Sequence, residues 1–215
     1  MSNKLKTLID HIKEQDSFTQ FNTIPKRIFL DTNILQYLQD FGEYIFDHYR
    51  ENKNYFLISK HRIVKRETRL FSEIEALHDC FIGIERTSFE FALSPTIYQE
   101  VSEKGDIRFI EWFYDVWDHW MTVVSEYENG KAFSENAEKN YKKASYDNSL
   151  LGNLSEKDKE IVLDAIYFDC NALLTVDRFA KDQNKKIYVF KNYGLMILTP
   201  SELLEIIKPF QALWC

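Results

Sequence analysis

Asp31 and Asp177 close two apolar runs in the same way, and carboxylates placed like this could hold a divalent cation. The first run is Arg27-Ile-Phe-Leu-Asp-Thr-Asn-Ile-Leu35 and the second Asn171-Ala-Leu-Leu-Thr-Val-Asp177. Each reads as a buried strand giving way to a helix or turn, and in an open α/β sheet ligands bind beyond the carboxyl ends of the strands. Oxygen donors suit hard Mg2+ or Mn2+. Such an ion acidifies a water and neutralises charge developing on a phosphate, so the expected chemistry is in-line hydrolysis of a phosphodiester. Taken singly, either aspartate reads as a helix cap or a turn residue. Their shared placement is what points to a site.

The acids need elements to carry them. Residues 1–22 read as a short polar helix, and Pro25 punctuates entry to a strand at Lys26–Leu30. Ile34, Leu35, Leu38, Phe41 and Ile45 then recur three or four apart, which predicts a helix that Thr32 or Asn33 can cap. A basic stretch, Lys60 to Arg69, leads into a further helix through Phe71, Ile74 and Leu77. Phe89–Leu93 reads as the next strand. Ser94-Pro95 starts the helix after it, since Ser caps well and Pro suits the first helical position, and Glu100 falls in its opening turns. Phe109, Phe113, Trp117 and Trp120 follow helical spacing, as core packing requires. Residues 126–157 are polar and lysine-rich and read as a loop or lid. A helix from Ser155 to about Phe168, strands at Ile187–Phe190 and Leu195–Leu198, and a closing helix after Pro200 complete the order. The sum is one α/β domain over residues 1–215, a mostly parallel sheet of about five strands flanked by helices. Its helical insertions fall near 51–88 and 105–154.

Angle separates the acids of the helix before Asp177. At 100 degrees per residue, Ile161, Val162, Ala165 and Ile166 form one arc, and Asp158 falls near its middle. Asp164 lies off the arc toward the polar edge and reads as solvated, while Asp169 projects inward at the helix exit. Asp158 is therefore the expected third ligand. A shifted register would put Asp164-Ala165 in its place.

The set Asp31-Thr32-Asn33, Glu100, Asp158 and Thr175-x-Asp177 resembles a PIN domain, over roughly residues 24–50, 89–104 and 155–207. The closing Leu198-Thr-Pro-Ser-Glu-Leu-Leu204 is similar to the segment that often ends such domains. The resemblance implies a PIN-like three-layer fold and an Mg2+- or Mn2+-dependent ribonuclease of the superfamily that includes VapC-like toxins and RNA-processing nucleases. It implies Asp31, Asp158 and Asp177 as metal ligands with Glu100 completing the catalytic acids. Thr32, Asn33 and Thr175 would orient those carboxylates or contact the scissile phosphate. Extra sequence between the first two strands and from about 105 to 154 departs from the compact toxins. It bears on a toxin or defence role more than on the chemistry. An antitoxin or other protein partner is compatible with the resemblance, as is a homodimer built on the aromatic insert. Four acids brought together repel one another, so metal binding should relieve strain in the metal-free site.

Composition frames these expectations. The chain has 215 residues, 45% hydrophobic and 28% charged, with net charge -7. That excludes wholesale coating of nucleic acid and leaves a local basic patch, Lys60, Arg62, Lys65, Arg66 and Arg69, as the candidate RNA contact. Cys80, Cys170 and Cys215 form no C-x-x-C pair and read as reduced thiols, against structural zinc. No stretch has signal-peptide or bilayer-spanning character, so a cytoplasmic protein with no membrane partner is expected. His119 between Asp115 and Asp118 reads as structural. Gly-rich phosphate loops and a serine nucleophile elbow are absent. Two other readings stand beside the nuclease. A phosphatase using Asp31 as nucleophile usually carries another aspartate two positions on, where this chain has Asn33. A catalytically silent PIN-like module would bind RNA or protein.

Overall fold

Three tripeptides, two of them buried throughout, and the run before Asp31 pair into a single parallel sheet. In the computed structural model, residues 7–14, 24–47, 56–58, 63–66, 68–82, 89–128, 134–152 and 154–213 are described, the side chains of 11, 13, 14, 56, 118–128 and 211–213 excepted. The elements run α1 (Leu8–Glu14), β1 (Arg27–Leu30), α2 (Thr32–Asp40), α3 (Gly42–Ile45), β2 (Phe56–Ile58), β3 (Ile63–Lys65) and α4 (Arg69–Ile82). Next come β4 (Glu90–Ala92), α5 (Pro95–Glu103), α6 (Ile107–Glu128), α7 (Glu135–Ala144), α8 (Asn148–Leu151) and α9 (Glu156–Tyr167). The chain continues through β5 (Ala172–Leu174), α10 (Gln183–Tyr193), β6 (Met196–Leu198) and α11 (Pro200–Ile207).

The sheet order is β4-β1-β5-β6, all parallel. Every residue of β5 and β6 is buried, as are Ile28, Phe29 and Leu30. Strands buried on both faces need helices on both, which makes this a three-layer α/β fold. Phe29, wholly buried, packs against Phe168 of the segment after α9 with ring centres 6.4 Å apart. Burial of one such ring contributes roughly 1.5–3 kcal/mol. Among the described residues no helix is long and apolar enough to cross a membrane.

Several sequence expectations need correction. Ile187–Phe190 is helix, not strand, so the main sheet has four strands. Short apolar runs do not distinguish the two by period. The flanking signals do: Asp182 accepts from the Lys185 amide at 3.1 Å, and Gly194 ends α10 at φ +72, a left-handed conformation that favours glycine. Residues 126–157 are not a loop throughout. Ser134 caps α7 and Asp147 caps α8, and Ala137, Ala144 and Leu150 are buried. The insertion near 51–88 is helical only from Arg69, because Phe56–Ile58 and Ile63–Lys65 form an antiparallel pair. The described part of the N-terminal segment is not polar surface: Leu8, Ile9 and Ile12 are buried, and the Leu8 amide donates to Gln183 Oε1 at 3.0 Å. The remainder of residues 1–22 lies outside the described residues.

A buried ionic network ties α10 to α11 and α4. Lys186 is wholly buried and places its Nζ 2.6 and 2.5 Å from the two Glu202 oxygens. Burial lowers the Lys186 pKa, with Glu202 pulling it back up. Glu202 also accepts from the Thr199 amide at 2.9 Å, completing a capping box at the start of α11. Next to it, buried Glu73 of α4 accepts from the Ser201 amide and hydroxyl at 3.0 and 3.1 Å.

Candidate functional site

The strand order places the acids. Because the chain passes from β1 to β4 on one side and returns to β5 on the other, the order reverses beside β1. The crevice at the carboxyl ends there is where open α/β sheets bind ligands. Leu30 pairs with Leu174 in register, so Asp31 and Thr175 leave the sheet side by side, and the Asp31 amide donates to Leu174 O at 3.1 Å.

At this edge Ser94, Asp31 and Thr199 stand at the starts of α5, α2 and α11, and Asp177 at the start of a four-residue 3-10 turn, Arg178–Lys181; the four divide into two kinds. Ser94 and Thr199 accept from helix amides, of Ile97 and Glu202, as good caps do. Asp31 and Asp177 make no side-chain cap bond. Asp31, rather than Thr32 or Asn33, occupies the cap position of α2, and its carboxylate turns to other partners. Its Oδ2 accepts from Thr175 Oγ1 at 2.5 Å and from Asn33 Nδ2 at 2.6 Å. Asn33 Oδ1 receives the Val176 amide at 3.2 Å, and Thr175 Oγ1 receives the Asp177 amide at 3.1 Å. The Thr32 hydroxyl donates to Glu100 Oε2 in a short hydrogen bond, fixing the α5 acid against α2.

Asp31, Thr32, Asn33, Glu100 and Asp177 line a cleft of about 400 Å³ together with Asp158, Ile161, Glu103, Lys104 and Lys157, while Thr175 is buried behind it. The structure therefore brings together all four expected acids and both hydroxyl or amide neighbours on α2. Asp158 completes a capping box with Ser155, accepting its amide at 3.3 Å, and still faces the cleft. Asp164 is not among the lining residues. It is not solvated either: burial raises its pKa against hydrogen bonds from Ser94 and Thr96, and its Oδ2 has no partner. Asp169 is exposed at φ 56, so the inward projection expected for it is not found.

Electrostatics mark Asp31 as the strained member. Burial, then the neighbouring Asp177, push its pKa up to about 7, against the Thr175 hydrogen bond; Glu100 adds to the rise. Asp177 is raised by burial, then by Asp158 and Glu100, while Asn33 and Asp31 hydrogen bonds oppose the shift. As the side chains stand, no three His, Cys, Asp or Glu groups among the described residues gather closely enough to hold an ion. The donor chemistry nonetheless fits a hard cation, since every acid is an oxygen ligand.

The raised pKa sets a pH dependence. A buried acid that holds its proton more tightly when folded contributes most below its unfolded pKa near 3.8, and that contribution is lost as pH climbs through the folded value near 7. The loss from Asp31 is about 4 kcal/mol. Asp177 and Asp164 tilt the same way, whereas acids with lowered pKa, such as Glu103 and Asp147, stay ionised in both states above pH 5. The metal-free chain is thus expected to show a higher urea midpoint at pH 5 than at pH 8. An equal midpoint at the two would show that Asp31 titrates normally.

Among the described residues, no member of the basic stretch lines the cleft. Lys60 and Arg62 lie outside the described residues; Lys65 and Arg66 are exposed, and Arg69 faces Glu73 at 3.6 Å. The cations that do line it, Lys104 and Lys157, escaped the sequence reading. Two signals were present: Lys104 follows Glu100 by one helical turn, and Lys157 adjoins Asp158. No family model, no curated protein and no solved structure matches the chain.

Proposed function

We propose that this chain is a PIN-like, metal-dependent endoribonuclease. The observation that carries the reading is the withheld caps. Asp31 starts α2 and Asp177 a short 3-10 turn without capping either, although Asp is a strong helix cap, and their carboxylates meet instead at the switch point of the sheet. Asp31, Asp177 and Asp158 are the residues that would hold Mg2+ or Mn2+, with Glu100 beside them. Such an ion, when bound, supplies positive charge to the scissile phosphate and makes a water more acidic.

The chain's own residues do the positioning. Thr175, just past β5, and Asn33, in the first turn of α2, both donate to Oδ2 of Asp31 and fix the plane of its carboxylate. Thr32 holds Glu100 in the same way. Asp31 keeps its proton up to about neutral pH, so a cation held there would compete with that proton and its occupancy would rise with pH. A toxin or defence role, an antitoxin and a homodimer belong to the same proposal.

A second reading, the silent PIN-like binding module, is favoured by one observation: the acids do not gather as a ligand set in the metal-free chain. Cleavage of a labelled RNA pool in Mn2+, Mg2+ or EDTA separates the two. Expected is metal-dependent cleavage that Asp158→Asn removes and Asp164→Asn leaves, because Asp158 faces the cleft and Asp164 faces Ser94. Survival of cleavage in Asp158→Asn moves the third ligand to Asp164. No cleavage under any metal favours the binding module.

A further inference from the structure

A phosphodiester entering this cleft meets five acids, Asp31, Glu100, Glu103, Asp158 and Asp177. A bound cation would serve the scissile phosphate alone, and the phosphates on either side would face bare carboxylates. Lys104 and Lys157 are the cations among the lining residues, carried by the end of α5 and the start of α9.

Lys104 stands at the C-cap of α5, where the helix dipole favours a cation, but Lys157 is not explained by its own helix. Lys157 lies in the first turn of α9, where the helix dipole favours anions, so it opposes the local preference. Its Nζ pairs with Glu103 Oε2 at 2.5 Å across the rim, both side chains about half exposed. An exposed pair of this kind is weak enough for a competing anion to displace. Glu103 is itself held from the other side by Gln99 Nε2 at 3.0 Å, so it has a second partner when Lys157 leaves. The Lys104 ammonium lies 5.4 Å over the Phe109 ring, which steadies it at the rim without neutralising it.

Building on the ribonuclease reading, we propose that Lys104 and Lys157 seat the backbone phosphates flanking the scissile one in an RNA strand. Glu103 holds Lys157 as a carboxylate stand-in until a phosphate takes its place. The binding residues of the substrate are then at the cleft rim, not on the Lys60–Arg69 stretch.

The test is fluorescence anisotropy with a short labelled single-stranded RNA in EDTA, over a range of salt concentrations, so that binding is read without cleavage. Lys104→Ala and Lys157→Ala are each expected to weaken binding about fivefold to tenfold and to reduce the salt slope by about 0.7. Glu103→Gln is expected to tighten binding about threefold by freeing Lys157. Lys142→Ala, an exposed lysine paired to Glu138 on α7, should change nothing. The double variant Lys157→Ala with Glu103→Gln keeps the rim's charge near its original value and should remain weak. Recovery to wild-type affinity in the double variant would overturn the proposal, since only local net charge would then matter. Unchanged affinity and slope in the two lysine variants, or no RNA bound by the wild-type chain, would overturn it as well. Mn2+-dependent cleavage measured in parallel reports on the ribonuclease reading separately: cleavage with unchanged lysine variants rejects the rim alone.

Discussion

Asp31→Asn is expected to abolish RNA cleavage while making the metal-free protein more stable at pH 8. The two effects have one cause. Asp31 is buried, carries no ion pair, and faces Asp177, so its ionised form is held at a cost of about 4 kcal/mol once pH exceeds 7. The amide is nearly isosteric. Its carbonyl oxygen can still accept from Thr175 and Asn33, and its NH2 can donate to Asp177, so the local network survives while the charge goes. A stabilisation of roughly 2–4 kcal/mol at pH 8, shrinking toward pH 5, is the expected denaturation result. Cleavage should fall by at least about a hundredfold, because loss of an ion or its misplacement removes several kcal/mol of charge stabilisation. Mn2+ should raise the melting temperature of the wild-type chain and leave that of the variant unmoved. A variant that is less stable at pH 8 and still cleaves would make Asp31 a structural acid.

Glu202→Gln should be the most damaging conservative change far from the cleft. It retains the capping contact to the Thr199 amide and removes the charge that both Lys186 hydrogen bonds depend on. A wholly buried ammonium is left without its carboxylate, and breaking a buried pair from one side typically costs 3–5 kcal/mol. For a chain of this length that lowers the melting temperature by roughly 10 °C. The double change Lys186→Met with Glu202→Gln should recover most of the loss, since a buried pair replaced by apolar packing is often neutral. Loss of less than about 1 kcal/mol in the single variant would mean that Lys186 is neutral in the fold.

The parts of the site legible in the sequence were those where a strand period broke at an acid. Asp31 and Asp177 were visible because an apolar run ended at each, and Ser94-Pro95 and Ser155-x-x-Asp158 because capping chemistry is local. Angle alone placed Asp158 on the cleft side, and the structure lines the cleft with it. What stayed hidden depended on partners remote in sequence. Lys186 reads as one more surface lysine until Glu202 and the packing of α10 enclose it. The four apolar residues Ile187–Phe190 fit a strand or a helix period equally, and Asp182 and Gly194, outside the run, make the segment helical. Asp164 looked solvated because its burial comes from the start of α5, some seventy positions earlier. The order of strands, and with it the reversal beside β1, has no local signature at all.

The hydrogen bond from Thr175 to Asp31 spans 144 positions of the chain. On a ribosome adding about 5–20 residues per second, the first acid therefore leaves the exit tunnel on the order of ten seconds or more before its partner strand is made. Through that interval β1 has no β5 to pair with, and Asp31 is a solvated carboxylate with an ordinary affinity for protons. Under the proposed function, a cleft assembled in this way stays incomplete on the nascent chain until β5 has been made and can pair with β1.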